Sequence, residues 1–368
     1  MKKFREVNEN MGSIGKKIIE KLSAGNPKWS RLDYPIIQGG MGVGISMGNL
    51  AGAVAAEGGM GVISTALIGF REKNFKEDHI KADENALRKE IRLAKQIAGG
   101  HGMIGINAMT VTKDFKQCVQ VAVEEGVDCI ISGAGLPLSL PEYAGKDTSV
   151  LLAPIVSGAK AARLMMRSWE RNHKRLPDFF VVEGRDAGGH LGFKPEEFSD
   201  NNYYSLEAIV RDVVDVAGDI PVFAAGSIFD TDDIKRAISW GAMGVQIGTR
   251  FIATHECDGR DGFKNVLLRA KAEDLRIIRS PVGLPGRAIF SKLLQDVKEE
   301  CRKPPKECIN CITTCNPQTT PYCISEALIA AFYGDEENGL FFSGVNAGKI
   351  HKIVSVKELM TELKAAFE

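Results

Sequence analysis

A chain of 368 residues, 44% hydrophobic and 26% charged, has the balance of a core-forming globular protein, long enough for one large α/β barrel or two ordinary domains. Its 47 basic and 47 acidic residues cancel, which argues against a nucleic acid or an anionic membrane held by bulk charge. No apolar run approaches the roughly 20 residues that a bilayer span needs, and the opening MKKFREVNENMGSIGKKIIEKL lacks an apolar signal core, so a cytoplasmic protein is expected.

Residues 1–30 read as a polar extension carrying one amphipathic helix near Ile14–Leu22. From residue 33 a rhythm sets in: short apolar run, glycine-rich turn, helical stretch. Strands are expected at Tyr34–Gln38, Gly61–Ser64, Met103–Asn107, Cys129–Ser132, Val150–Ile155, Phe179–Glu183, Pro221–Ala224 and Gly244–Ile247. Between them, helices are expected at Asn49–Glu57, Asn85–Ala98, Asp114–Glu125, Gly158–Asn172, Ser205–Ala217 and Thr231–Trp240. Apolar runs without strict alternation suit strands buried on both faces, as in a parallel sheet sheathed by helices. Eight alternations over residues 31–254 predict an α/β protein, a (β/α)8 TIM barrel. A doubly wound sheet is the rival. It would normally place Gly-x-Gly-x-x-Gly after its first strand, whereas the turn here reads Gly39-Gly40-Met41-Gly42-Val43-Gly44. Residues 255–368 break the rhythm. They hold a cysteine cluster, Pro304-Pro305, and helical stretches near Tyr322–Tyr333 and Val356–Ala366, so a helical, cysteine-containing appendage packed over or beside the barrel mouth is expected.

The chemistry gathers at strand ends. Phe179–Glu183 runs into Gly184-Arg185-Asp186-Ala187-Gly188-Gly189-His190-Leu191-Gly192. Glycines let the backbone come close to a bound group, and histidine moves protons near neutral pH. A barrel sets such residues at its catalytic face. The bland alternative is a plain turn with an exposed histidine. Ala224-Ala225-Gly226-Ser227 and Gln246-Ile247-Gly248-Thr249-Arg250 follow the last two strands, where barrels commonly hold a phosphate. The backbone N–H groups of Gly226, Ser227, Gly248 and Thr249 are the candidate donors, with glycine leaving room that a Cβ would fill; two ordinary tight turns are the alternative. Gln38-Gly39-Gly40-Met41 offers a backbone floor for a flat ring, and Asn107 an amide that both donates and accepts.

Cys118, Cys129 and Cys257 are scattered, and reduced thiols are expected in the absence of a signal core. The other five form Cys301-x6-Cys308-x2-Cys311-x3-Cys315-x7-Cys323. Thiolates at short spacings can hold zinc or an iron–sulfur cluster. This spacing matches no established pattern, so packed, reduced thiols in a helical hairpin and no metal are expected. Cys257, two places past His255, is a weaker candidate nucleophile. His79, His101, His173, His255 and His351 have no partners at ligand spacing.

Pro35-Ile36-Ile37-Gln38-Gly39-Gly40-Met41, Leu50-Ala51-Gly52-Ala53-Val54, Gly59-Met60-Gly61-Val62-Ile63, Asn107, Ala187-Gly188-Gly189-His190-Leu191-Gly192 and Gln246-Ile247-Gly248-Thr249-Arg250-Phe251 together resemble the nitronate monooxygenase (2-nitropropane dioxygenase) family. That family includes flavin-dependent enoyl-acyl-carrier-protein reductases of the same fold. The resemblance implies an FMN-containing barrel in which FMN contacts Gln38, Gly39, Gly40, Met41, Asn107, Glu183, Gly188, Gly189, Gly226, Ser227, Gln246, Gly248 and Thr249. It makes His190 the active-site histidine beside the flavin, a base for neutral nitroalkanes. The implied activity is oxidation of nitronates by O2 to carbonyl compounds and nitrite. The alternative is NAD(P)H-dependent reduction of an enoyl thioester in fatty acid synthesis, and a third is an idle barrel serving as a scaffold or metal-binding module. A small-molecule substrate is implied, without nucleic acid or membrane, and a homodimer is left open. Glu183 departs from the pattern, since those monooxygenases usually carry Gln there and often Arg at the place of Leu191; Glu looks more like the reductases. Arg279–Ile289 resembles the monooxygenases and tips the balance back. Within it, Arg287 is expected to be structural rather than an anion contact.

Overall fold

The computed structural model describes residues 13–198, 204–299 and 301–368. Its first nine strands are β1 (Ile36–Gln38), β2 (Met60–Ser64), β3 (Met103–Met109), β4 (Cys129–Gly133), β5 (Leu151–Val156), β6 (Phe180–Glu183), β7 (Gly189–His190), β8 (Val222–Ala225) and β9 (Gly244–Ile247). All but β7 are parallel and close into one barrel, with β9 pairing back onto β1. Every residue of β1, β2, β4 and β8 is buried, the state that their unbroken apolar runs predicted. Helices alternate with the strands. They start where short polar side chains cap them: Asp78 accepts from Lys81 N, Ser205 from Ala208 N and Asp230 from Asp233 N.

The first twelve residues of the predicted 1–30 extension lie outside the described residues. The rest is more than polar. The predicted helix spans Ser13–Gly25, and it buries Ile18, Ile19 and Leu22. Trp29 then plugs the bottom of the barrel, stacked on Phe223 at 5.5 Å and edge-on to Phe179 at 5.1 Å. Truncating a fully buried aromatic of this kind costs about 3–5 kcal/mol.

At the opposite end the appendage differs from expectation. It has helices at Asp261–Arg269, Lys292–Lys298, Ile324–Tyr333 and Val356–Lys364, but it also builds an antiparallel sheet from β10 (Leu275–Arg279), β11 (Pro285–Ile289) and β12 (Phe341–Phe342). All of β11 pairs with β10; its other edge takes β7 at Gly286 and Arg287, then β12 at Ala288 and Ile289. The appendage is thereby stitched to the barrel through the strand that carries His190. The last helix returns to the barrel wall, where Met360 is buried and Phe367 closes the core. Among the described residues no helix is long and apolar enough to cross a membrane.

Candidate active site

Register decides which side chains meet. Glu183 lies beside Ala225, and Ala225 beside Gln246, so the ends of β6, β8 and β9 form one row. Above the strand ends opens a cavity of about 560 Å³. It is lined by Gly39, Gly40 and Met41 after β1, by Asn107 and Glu183, by Gly188, Gly189 and His190, by Gly226 and Ser227, and by Gln246, Gly248 and Thr249. Gln38 is the one nominated residue that does not line it. Its fully buried amide accepts from Val62 N at 3.1 Å and donates to Val62 O at 3.3 Å, splicing β1 to β2. A carboxamide this close to a neighbouring strand is satisfied by that backbone.

Two glycines have reasons that the sequence did not give. At Gly188 the need is space: a Cβ would stand 2.5 Å from Gly344 N and nearer still to the Ser343 carbonyl carbon. At Gly226 the need is conformational, since φ is +82° and Ser227 follows at +65°. A Cβ on Gly226 would also lie 3.1 Å from Ala187 Cβ and Gly184 O, so the chain's own packing adds to the conformational reason. The N–H groups of Gly226, Ser227, Gly248 and Thr249 donate to nothing among the described residues, which leaves four donors at adjacent strand ends. Gln246 Oε1 and Ser343 Oγ are also buried without partners among the described residues, and both residues line the cavity. Unmade buried polar groups cost about 1–3 kcal/mol each, so the site is built for something that hydrogen-bonds.

His190 is held from three sides. Its backbone pairs with Gly286, its Nε2 lies 2.8 Å from Ser280 Oγ, and its ring meets Phe342 edge-on at 5.0 Å. Burial pulls its pKa down to about 4 and pushes that of Glu183 up to about 8. One cause moves the two in opposite directions because burial penalises whichever form is charged. At pH 7 the site therefore holds a neutral imidazole and a neutral carboxylic acid, a pairing suited to acid–base division of labour.

The raised Glu183 pKa has a sign for stability. Between 4.5 and about 8 the folded protein keeps a proton that the unfolded chain has lost, so stability falls as pH rises. His190, lowered, adds stability as pH rises from about 4 to 6.5 and nothing above that. Glu183 is thus expected to account for about 2 kcal/mol of the stability that flavin-free protein loses between pH 6.5 and 8, and Glu183→Gln to remove that share, while buried Asp83, also raised to about 8, keeps its own. Urea melts of both proteins across this interval check it; a slope unchanged in the variant would show that Glu183 contributes nothing.

The remaining candidates sort plainly. Arg287 does not line the cavity. Its guanidinium donates to the carbonyls of Arg185 and Ala187 and sits 3.8 Å from Asp186, bracing the loop before Gly188. Cys257 is buried against Ile45 O with its thiol pushed up to about 12, which removes it as a nucleophile at neutral pH. The sequence reading missed Ser280, Phe342, Ser343, Gly344 and Asn346. Asn346 Nδ2 donates to Ser227 O at 3.0 Å and Gly344 N to Thr249 Oγ1 at 3.1 Å, so a loop from the C-terminal segment completes the site. Ser343-Gly344-Val345-Asn346 follows an apolar run as the other strand-end glycines do, a signal overlooked because the region was read as helical.

Comparison with known proteins gives the family. The family model described as Nitronate monooxygenase matches residues 26–365. The chain is 25% identical, over 365 residues, to the "Probable nitronate monooxygenase" of Bacillus subtilis (strain 168), covering 90% of this chain and 95% of that one. It is 26% identical, over 267 residues, to the (3aS,4S,5R,7aS)-5-hydroxy-7a-methyl-1-oxo-octahydro-1H-indene-4-carboxyl-CoA dehydrogenase of Rhodococcus jostii (strain RHA1), covering 73% of this chain and 65% of that protein, just under two thirds of its length. Among solved structures, FabK from Thermotoga maritima matches with a TM-score of 0.73 at 26% identity over 95% of each chain. Nitroalkane oxidase from Streptomyces ansochromogenes matches with a TM-score of 0.71 at 19% identity over 94% of this chain and 97% of that one, a likeness of fold alone.

Proposed function

The chain belongs to the nitronate monooxygenase family and is a flavin-dependent oxidoreductase, and from that premise we propose that it uses FMN to oxidise nitronates, and the neutral nitroalkanes that give them on losing an α-proton, with O2, giving carbonyl compounds and nitrite. The observation that carries the substrate reading is His190, neutral, facing the cavity and anchored through Nε2 on Ser280. No hydrogen bond engages its Nδ1 among the described residues. With the proton on Nε2 and donated to Ser280, Nδ1 presents a lone pair to the cavity, as a base for a neutral nitroalkane requires.

The residues fit a flavin. The buried acceptor Gln246 Oε1 lacks a donor among the described residues and would take one from a bound flavin. Asn107 and Glu183 line the same wall, and the unpartnered N–H groups of Gly226, Ser227, Gly248 and Thr249 suit one phosphate, hence FMN over FAD. Gly39, Gly40 and Met41 would form the floor beneath the ring, with Gly188 and Gly189 beside it. When bound, the flavin takes electrons from the substrate and passes them to O2; the protein contributes position and electrostatics. Glu183, where the monooxygenases usually carry Gln, remains protonated up to about pH 8. A neutral carboxylic acid, like an amide, can both donate and accept, so this departure preserves the mixed polarity that the monooxygenase pattern has there.

Glu183 is also what supports a second reading, NAD(P)H-dependent reduction of an enoyl thioester. Anaerobic mixing separates the two. Propionate 3-nitronate is expected to bleach the flavin band within the enzyme's turnover time, and NADH and NADPH to bleach it far more slowly. Rapid bleaching by either nicotinamide, with none by nitronate, reverses the assignment. Flavin released by heat is expected to run as FMN, and FAD would overturn the single-phosphate reading.

A further inference from the structure

We propose that Cys308, Cys311, Cys315 and Cys323 ligate a four-iron, four-sulfide cluster at the rim of the cavity. From the sequence alone the choice among five thiols stayed open; the fold makes it. Ser325 joins two of them, since its N–H donates to Cys323 and its Oγ lies 2.9 Å from Cys311 Sγ. Cys311 and Cys315 pack against one apolar cluster, and Cys308 lies across the Asn310 turn from Cys311. Cys301 is exposed, with its Sγ on Glu299 O.

The backbone is arranged for thiolates. Asn310 adopts φ +57°, turning its N–H onto Cys308 Sγ at 3.4 Å. The N–H groups of Ser325 and Glu326, at the start of the helix Ile324–Tyr333, donate to Cys323, and Ser325 Oγ lies 2.9 Å from Cys311 Sγ. Hydrogen bonds to sulfur stabilise the charge on cluster thiolates and tune their potential. The loop is also fixed in place. Lys113 N donates to Cys311 O at 3.0 Å and Thr313 N to Val111 O at 2.9 Å, which pins it to the turn after β3.

The spread of the thiols selects a cluster over a single ion. Zinc draws four sulfurs to about 2.3 Å from one point. Among the described residues no three His, Cys, Asp or Glu side chains gather so tightly. A cubane, by contrast, takes its four thiolates at separate corners and does not need them to meet at one point. The placement has meaning for the barrel as well. Leu328, on the helix that Cys323 caps, lines the cavity and packs in the same apolar layers as Cys311. One side chain, Leu328, thus bridges Cys311 and the cavity.

The test is iron and acid-labile sulfide content of the full chain purified without oxygen, with the EPR spectrum of the dithionite-reduced protein. About four irons and about four sulfides per chain are expected. The iron should be lost in Cys311→Ser and in Cys315→Ser and kept in Cys301→Ser, with circular dichroism confirming that each variant folds. The wild-type measurement stands even where a variant does not fold. Absence of iron and sulfide, both as purified and after incubation with ferrous iron and sulfide, would overturn the proposal. About one zinc per chain in their place, or iron retained in both the 311 and 315 variants, would do the same.

Discussion

His190→Asn is expected to keep its flavin and to lose about 10²–10⁴-fold in kcat/KM toward a neutral nitroalkane, with a much smaller loss toward the matching nitronate. The asymmetry follows from where the proton is. A neutral nitroalkane must lose its α-proton to a base in the site, and Nδ1 of His190 is the candidate. A nitronate arrives without that proton, so only the positioning role of the ring is lost. Asparagine retains a donor toward Ser280 while removing the basic nitrogen. Burial also fixes the pH at which the base fails. A solvated histidine gains its proton near 6.5, whereas His190 stays neutral down to about 4. The wild-type nitroalkane profile should accordingly hold its activity as pH falls through 6.5 and lose it near 4, where the imidazolium can no longer accept a proton. The measurement is flavin occupancy, then kcat/KM for both substrate forms across pH. Equal losses for the two forms would remove His190 as the base. Loss of flavin as well would make it a cofactor or structural residue.

Gly188→Ala is expected to destabilise the protein by about 1–3 kcal/mol and to weaken flavin binding by tenfold or more. The added methyl has no free volume: it would meet Gly344 N at 2.5 Å and the Ser343 carbonyl carbon, both backbone atoms that no rotamer change can move aside. The strain must displace the loop carrying Ser343 and Asn346. That loop holds Ser227 through Asn346 and Thr249 through Gly344, so the damage reaches the proposed phosphate donors without touching their sequence. Gly189→Ala is the control. Its φ of +78° makes alanine strained, but nothing lies within 4 Å of the added atom, so the loop stays in place. Thermal melts and flavin titration of the two variants distinguish the mechanisms. Equal weakening of flavin binding would show that glycine matters here for backbone conformation alone.

Much of the barrel was legible in the chain. Each of its eight strands is an apolar run flanked by glycine or a polar cap, and burial on both faces makes such a run readable without its partners. The strand-end glycines and His190 were legible for the same reason: a barrel presents the residues that follow its strands at one mouth, so their order along the chain already says they will meet. Gln38 shows where that logic stops, because whether an amide serves a ligand or the next strand depends on a register that no local pattern records.

The appendage was misread where its signal is weakest. Leu275-Arg276-Ile277-Ile278-Arg279 mixes apolar and basic residues and is largely exposed, so it lacks the continuous apolar run that marked the barrel strands. Its sheet exists because β11 has two edges to fill, and one filler, β7, comes from the barrel. Ser280 and Asn346 reach the site from 90 and 119 positions beyond the residues they serve. The sequence by itself thus determined the barrel, its mouth and the residue types around it. Tertiary structure alone decided which amide is used up, and which way burial shifts His190 and Glu183. Local composition controls whether a segment can be buried, but the distances, desolvation and backbone edges that set chemistry arise only when segments far apart in the chain are packed together.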